Sequence, residues 1–403
     1  MKLKLILMLA CASQASAFTL SLDDIPVRVR SSHPQLKAAR LAIGEARARQ
    51  LAAGRLENPT LGLEFTGESR VSPQATTFSI DQPLPLTRRL QLEKQLSAEL
   101  VAAAELEVCD VSRQLIGDAQ ALAVQLLALK QQRALRDQQA ALATKLADFI
   151  ASRAKAGELS ALDAAQAHLD AQRLAVESRK LEAERVVLTG KLKPLLGLNP
   201  QESLDFSGEL PAMKLPAVTS WQQRADYQLA LAKVRAAQTS IDLAKSKKWH
   251  DATAGIFGTH ERQDSEHTGS VGIRVSVPLP WWNRNEGEIE EKSVSAQRAS
   301  LEAEALGKSI AGEAEAAREE MNVHIALARD SRDKLLPLVT EQTANLEKAY
   351  ESGQAELLAV LRARDQQLLI EASALDAVRD FHLARIRFET TTGQHAPGTI
   401  RTK

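Results

Sequence analysis

Val271-Gly272-Ile273-Arg274-Val275-Ser276-Val277-Pro278-Leu279-Pro280-Trp281-Trp282-Asn283-Arg284-Asn285-Glu286-Gly287 is the stretch on which the fold turns. Val271, Ile273, Val275 and Val277 alternate with Gly272, Arg274 and Ser276, the two-residue period of a strand with one apolar and one polar face. Pro278 and Pro280 then end the run. Proline offers no N–H to a ladder and pushes the preceding residue out of helical geometry. The residues that follow, rich in Ala, Glu, Lys and Leu, have the composition of a long helix.

The same plan occurs twice. Residues 33–197 and 226–393 each read as a helix, two short strands joined by a polar loop, and a long helical hairpin, at an offset of about two hundred residues. Phe65 corresponds to Phe257, Pro83-Leu84-Pro85 to Pro278-Leu279-Pro280, Gly157 to Gly353 and Gly197 to Gly393. Strands are expected near 59–67, 76–84, 252–260 and 269–278, and helical turns near Gly157 and Gly353. Residues 18–197 and 221–393 form the two repeats, 198–220 the Pro- and Gly-containing connector and 394–403 a disordered tail.

The helical segments are 87–156, 158–193, 286–351 and 354–390, with Pro337 an exception to their scarcity of proline. At 1.5 Å per residue the first reaches on the order of 100 Å, longer than a globular domain uses. Its apolar stripe runs through Leu115, Leu122, Leu126, Leu129, Leu142, Leu146 and Phe149. Leu162, Leu169 and Val176, and again Leu361, Leu368 and Leu375, keep a seven-residue spacing that reads as a coiled-coil seam.

Lys2 and Lys4, the apolar run Leu5–Ala10 and Ala15-Ser16-Ala17 read as a signal peptide over residues 1–17. Cys11 offers lipidation as the competing reading, and cleavage after Ala17 leaves Cys109 as the lone cysteine. No apolar run approaches the roughly 20 residues of a membrane-spanning helix. The balance of 51 basic and 51 acidic residues gives no basic surface for nucleic acid. The eight histidines form no catalytic motif, and no phosphate loop is present, so neither enzyme chemistry nor a cofactor is expected. His260 and His267 flank the third-to-fourth strand loop with Glu261, Asp264 and Glu266 between them. They are the weak candidates for a metal site, and a hydrated loop is the first reading.

The strands have about the length of outer-membrane β-strands, roughly 9–11 residues, yet their alternation equally suits a soluble sheet on a core. Four strands cannot close a barrel, so a membrane role requires several chains to pool theirs; three would supply twelve. In that arrangement Glu64 and Arg274 face the lumen, and Trp281-Trp282 sit at the water–lipid boundary, with packing under a loop as the alternative.

The mature chain resembles the TolC-like outer membrane factors of bacterial tripartite efflux systems, and within them the heavy-metal branch. The residues that carry the resemblance are Glu57-Asn58-Pro59, Asp81-Gln82-Pro83-Leu84-Pro85-Leu86, Arg224-Ala225-Asp226-Tyr227 and, above all, 278–287. It implies a mostly α chain with a small β part. Four strands per copy would enter a trimeric twelve-stranded barrel, continued by a periplasmic barrel of antiparallel coiled-coil helices. Pro59, Pro83, Pro85, Pro278 and Pro280 would mark the strand–helix junctions; Trp249-His250-Asp251 departs from the pattern by lacking a proline. Arg153, Gly157, Leu159, Gly353 and Leu357 would lie at the tip contacted by a periplasmic adaptor (membrane fusion) protein, with an inner-membrane pump of the resistance-nodulation-division type beyond it. The implied function is a passive duct in the outer membrane, with heavy-metal cations as the expected cargo. Drug efflux or type I protein secretion is the alternative, and a soluble periplasmic coiled-coil adaptor the third reading.

Overall fold

Runs of alternating residues and runs of good helix formers succeed one another along the chain, and the secondary structure follows them. The computed structural model describes residues 18–67, 75–217, 220–263 and 266–393. The leader 1–17 with Cys11, the loop residue Asp264 and the tail 394–403 lie outside the described residues. In chain order the elements are β1 (Phe18–Leu20), α1 (Ile25–Ser32), α2 (Pro34–Ala52), β2 (Thr60–Thr66), β3 (Ala75–Leu84), α3 (Arg89–Lys155), α4 (Ala161–Leu195), β4 (Leu204–Phe206), α5 (Ala225–Ser246), β5 (Ala252–Gln263), β6 (Glu266–Ser276), α6 (Glu286–Arg329), α7 (Leu336–Glu351) and α8 (Leu357–Thr392).

The segment read from sequence as a single helix over 286–351 is interrupted. Asp330–Leu335 widens into a π-type turn in which the Leu336 N–H reaches back to the Ser331 carbonyl. Pro337 follows at once. It cannot donate to the turn before it, and the local widening accommodates the missing hydrogen bond.

Two compact units organise the chain. The described parts of Met1–Lys37, Val111–Trp221 and Ile310–Lys403 form one, and Ala38–Asp110 with Gln222–Ser309 form the other. In the first, small residues set the helix spacing. Ala143, Ala147 and Ile150 of α3 pack with Ala167, Ala171 and Leu174 of α4 and with Leu357 and Leu368 of α8. This corrects the expected seam on α4, while that on α8 holds at Leu368, buried in the cluster, and at Leu361, packed against it. Leu162, Leu169 and Val176 stay exposed on α4, as do Leu142 and Phe149 on α3. Alanine at the contact lets two backbones approach closely, and the larger stripe is left on another face. Ion pairs tie the helices along their length, including Arg136–Glu177, Arg364–Glu347 and Arg173–Asp365.

The connector carries structure that the sequence did not announce. Its β4 pairs in parallel with β1, Leu20 opposite Phe206. Lys130 donates to the Phe206 carbonyl, and His382 Nε2 donates to the Pro211 carbonyl at 2.9 Å. His382 is buried, with its ring edge-to-face against Phe381. Desolvation is the main reason its pKa lies below the ordinary histidine value, with Arg385 adding to the depression and Pro211 and Glu389 opposing it.

Four glycines close helices in the left-handed region: Gly157 (φ 80°), Gly197 (65°), Gly353 (75°) and Gly393 (75°). After the first three the chain makes the same five-residue return bond: Glu158 to Arg153, Leu198 to Lys193 and Gln354 to Ala349. Their surroundings differ. A Cβ on Gly197 would meet the Ser32 side chain and carbonyl at 2.9 Å, whereas nothing lies within 4 Å of one on Gly157.

Two expectations follow for stability. Gly157→Ala loses only the left-handed preference, about 1–2 kcal/mol, and Gly197→Ala loses more; thermal melting of the two variants ranks them. Below about pH 6.5 an unfolded His382 takes up a proton that the folded state resists. Its contribution is therefore complete above that pH and is lost as pH falls towards the folded value. Denaturation midpoints compared at pH 7.5 and pH 5.5 should show a smaller drop in His382→Gln than in the parent.

Candidate functional site

The second unit contains a four-stranded antiparallel sheet in the order β2-β3-β5-β6. The register is continuous, so side chains fall into straight rows across it. Leu61, Ile80, Ile256 and Ile273 form one row, and Leu63, Phe78, Gly258 and Val271 the next, on a single face. These large apolar side chains are exposed, Val271 at 84% and Ile273 at 80%. Nothing in the described chain covers them, which removes the reading of a sheet packed on a soluble core.

The other face is polar, exposed at Thr60, Glu64, Ser270 and Arg274 of the outer strands and half-buried along the inner ones. Its rows are Thr60, Asp81, Gly255 and Arg274; Gly62, Ser79, Phe257 and Gly272; and Glu64, Thr77, Thr259 and Ser270. Ser79 donates to Asp81 at 3.0 Å, and the Asp81 carboxylate lies across Gly255, where a Cβ would meet it at 2.0 Å. Phe257 covers Gly272 in the same way, and the Arg274 guanidinium stacks on the ring at 5.2 Å. Phe257 is thus folded onto the polar face, where it fills the space left by glycine. Phe65 projects from the apolar face with Leu61 and Leu63, so the pairing of Phe65 with Phe257 in the sequence alignment does not extend to orientation.

Both outer strands, β2 and β6, have a neighbour on one side only. Pro59 immediately precedes β2, Pro85 follows β3, and Val277-Pro278 follows β6. Pro83 lies inside β3, opposite Thr253 of β5. It is tolerated because β2 begins opposite Asp81, leaving β3 a single neighbour at that point.

The strand–helix junctions are held by groups that the sequence reading missed. Arg89, 19% exposed, pairs with Asp251 at 2.5 Å and Glu93 at 2.9 Å and approaches Glu57 at 3.8 Å. Gln82 donates to the Glu57 carbonyl at 2.9 Å. Asp251, at the entry that lacks a proline, is therefore fixed by charge. Asn285 adopts φ 61° and donates to the Ala244 carbonyl and to Glu288; Asn283 accepts from its N–H, and Lys247 pairs with Glu288. The Asn-Arg-Asn motif is thus a helix-start device that fastens the beginning of α6 to the end of α5. Lys247 and Asn285 hold the Glu288 carboxyl below the usual carboxylate range.

Trp281 and Trp282 are exposed, Trp282 at 93%, with their rings edge-to-face at 6.0 Å, so they do not pack under a loop. His260 and His267 stack at 5.4 Å near the far end of the β5–β6 hairpin. No group of three or more possible metal ligands occurs among the described residues. In the first unit, Arg153 pairs with Glu158 at 3.2 Å across its own turn and lies 5.0 Å over Phe149. Gly157 closes that turn and Leu159 packs on the cluster described above. Leu357, buried in the same cluster, starts α8 after Gly353. The structure therefore brings Leu159 and Leu357 to one cluster, while Gly157 and Gly353 act as caps.

No family model matches the chain. Over 258 residues it is 23% identical to the cobalt-zinc-cadmium resistance protein CzcC of Cupriavidus metallidurans, a match covering 63% of this chain and 58% of that protein. The chain thus matches less than two thirds of the length of that curated relative. The fold is shared with outer-membrane channel proteins. The outer membrane protein VceC of Vibrio cholerae superposes with a TM-score of 0.76 at 17% identity, over 92% of this chain and 96% of that one. CusC, whose crystal structures concern transmembrane channel formation, gives 0.76 at 16% identity, over 92% and 91%. The chain has the fold of these outer-membrane channel proteins, mostly helical with a small antiparallel sheet. The sequence relative adds a likeness to the heavy-metal branch.

Arg89→Met strips the counter-ion from Asp251 and Glu93, both largely buried at their side chains. A loss of about 1–3 kcal/mol is expected, read as a lower denaturant midpoint, with Arg89→Lys recovering part of it.

Proposed function

We propose that the chain is the outer-membrane channel subunit of a tripartite efflux system, a passive duct through which substrate passes outward. The observation that carries this is the sheet: one exposed face of aligned Leu, Ile, Phe and Val, an opposite polar face, and two unpaired edges. An apolar surface of this extent has no stable place in water, and unpaired edges have none in lipid. Three copies joined edge to edge resolve both problems by closing twelve strands into a barrel, apolar face to lipid and polar face to the lumen.

Further features support the reading. The element order α2-β2-β3-α3-α4 recurs as α5-β5-β6-α6-α7-α8, with left-handed glycines at Gly157 and Gly353 and at Gly197 and Gly393, as expected of a duplicated unit. Twelve helical strands from three copies would continue the barrel into the periplasm, and the turns at Gly157 and Gly353 would meet a periplasmic adaptor protein, itself bound to an inner-membrane pump. The likeness to a cobalt-zinc-cadmium resistance protein favours heavy-metal cations over organic drugs or proteins as cargo. A soluble periplasmic adaptor is disfavoured because it would leave the sheet's apolar face in water.

Fractionation tests the proposal: the protein should stay with outer membranes after osmotic shock and run as a heat-modifiable oligomer. Release into the soluble fraction as a monomer would refute it. Loss of the gene should sensitise cells to divalent cobalt, zinc or cadmium and leave organic drug tolerance unchanged. In planar bilayers the lumenal carboxylates Glu64, Asp81 and Glu261, set against Arg274, predict cation preference in a salt gradient. Glu64→Gln with Glu261→Gln should move the reversal potential towards zero.

A further inference from the structure

The register places all four strand–helix junctions at one end of the sheet: Thr60 is opposite Asp81, Leu84 opposite Ala252 and Thr253 opposite Ser276. Charged groups at that end fall into two sets. Arg89 and Lys247 are committed to Asp251, Glu93 and Glu288. Arg55, Arg88, Lys248 and Arg284, one at each junction, have no side-chain partner among the described residues. Their neighbours are exposed and apolar: Leu56 beside Arg55, Leu86 near Arg88, Trp249 beside Lys248, and Trp281-Trp282 before Arg284. The nearby carboxylates lie away from these four side chains' pairing. Glu57 lies against Arg89, and Glu286 sits in the first turn of α6, where the helix dipole favours it.

Resting on the channel reading, we infer that this rim is a docking surface for anionic phospholipid headgroups of the leaflet on the helical side of the barrel. Each cation meets a phosphodiester oxygen while the adjoining Leu or Trp enters the acyl boundary. The rim prolongs the exposed apolar face of the sheet, and four cations with no side-chain partner among the described residues, set beside exposed Leu and Trp side chains, match a surface that is apolar on one side and anionic at its edge. The stacked His260 and His267, at the far end of the β5–β6 hairpin, take no part.

The full chain, purified in detergent, is reconstituted into vesicles of phosphatidylcholine alone and of phosphatidylcholine with phosphatidylglycerol, and its thermal unfolding followed. Phosphatidylglycerol should raise the midpoint by on the order of a few degrees. The increment should disappear at about 0.5 M salt, where screening is strong. Combined replacement of Arg55, Arg88, Lys248 and Arg284 by Gln should abolish it while leaving insertion into phosphatidylcholine intact. Should the combined variant misfold, Arg284→Gln alone should reduce the increment. Equal midpoints in the two vesicles, or an increment that survives replacement, would overturn the lipid site and leave the channel reading standing. The same increment from inorganic phosphate would assign the cations to a free anion and also overturn it. Failure to enter either vesicle would overturn the channel reading and this inference with it.

Discussion

Backbone hydrogen bonding at the edges of the β2-β3-β5-β6 sheet governs what this molecule can be. Each interior strand has a neighbour on both sides over most of its length, but β2 and β6 each offer an unpaired row. In water such a row can be hydrated, although the aligned isoleucines and valines beside it cannot be exposed without cost. In lipid the side chains are at ease and the edge is not. Both demands are met only when further strands are supplied from outside the chain. Any account of function has to begin from that incompatibility, because the described residues contain nothing that resolves it.

The transition from strand to helix is the second demanding point, and each junction is built differently. At the first, Pro59 sets the backbone and the Glu57 carbonyl is held by Gln82. After β3 the ladder runs through Pro83 and stops at Leu84 because one side of the strand has already lost its partner. Before β5 the proline is absent and the Arg89–Asp251 pair does the fastening. After β6 the left-handed Asn285 turns the chain and ties it to α5. Proline, charge and an asparagine turn are chemically unlike solutions to one geometrical need: to end a ladder and start a helix without leaving buried polar groups unpaired.

Legibility in the sequence followed the range of the interaction. The alternation from Val271 to Val277 located β6, because a two-residue period is local and strict. The left-handed glycines at 157 and 353 were readable because a Gly after a long helical run has few other uses. The buried face was readable on α8, where Leu361 and Leu368 meet the cluster, and along part of α3, but not on α4. Leu162, Leu169 and Val176 keep a textual heptad, yet Ala167 and Ala171 form the contact, since that choice depends on how closely a partner helix approaches. The short pairing of β1 with β4 joins residues far apart in sequence and leaves no periodic trace. Arg89 was missed for the same reason: its partner Asp251 is long-range, and one arginine at a helix start carries no signal of its own.

The exposed stripes on the helices and the exposed face of the sheet bear on the same question. A protein folded for solution places its largest apolar side chains inside and its alanines where they fall. Here four alanines share the α3–α4–α8 contact with Ile150, Leu174, Leu357 and Leu368, while Leu162, Leu169 and Val176 stand outside it at seven-residue spacing. That spacing is the one at which a second helix could dock. The arrangement is intelligible when further copies cover what one copy leaves open, on the helices by side-chain packing and on the sheet by backbone pairing at β2 and β6. Two unlike surfaces, one read from burial and the other from hydrogen bonding, thus both fit the proposed assembly of several copies.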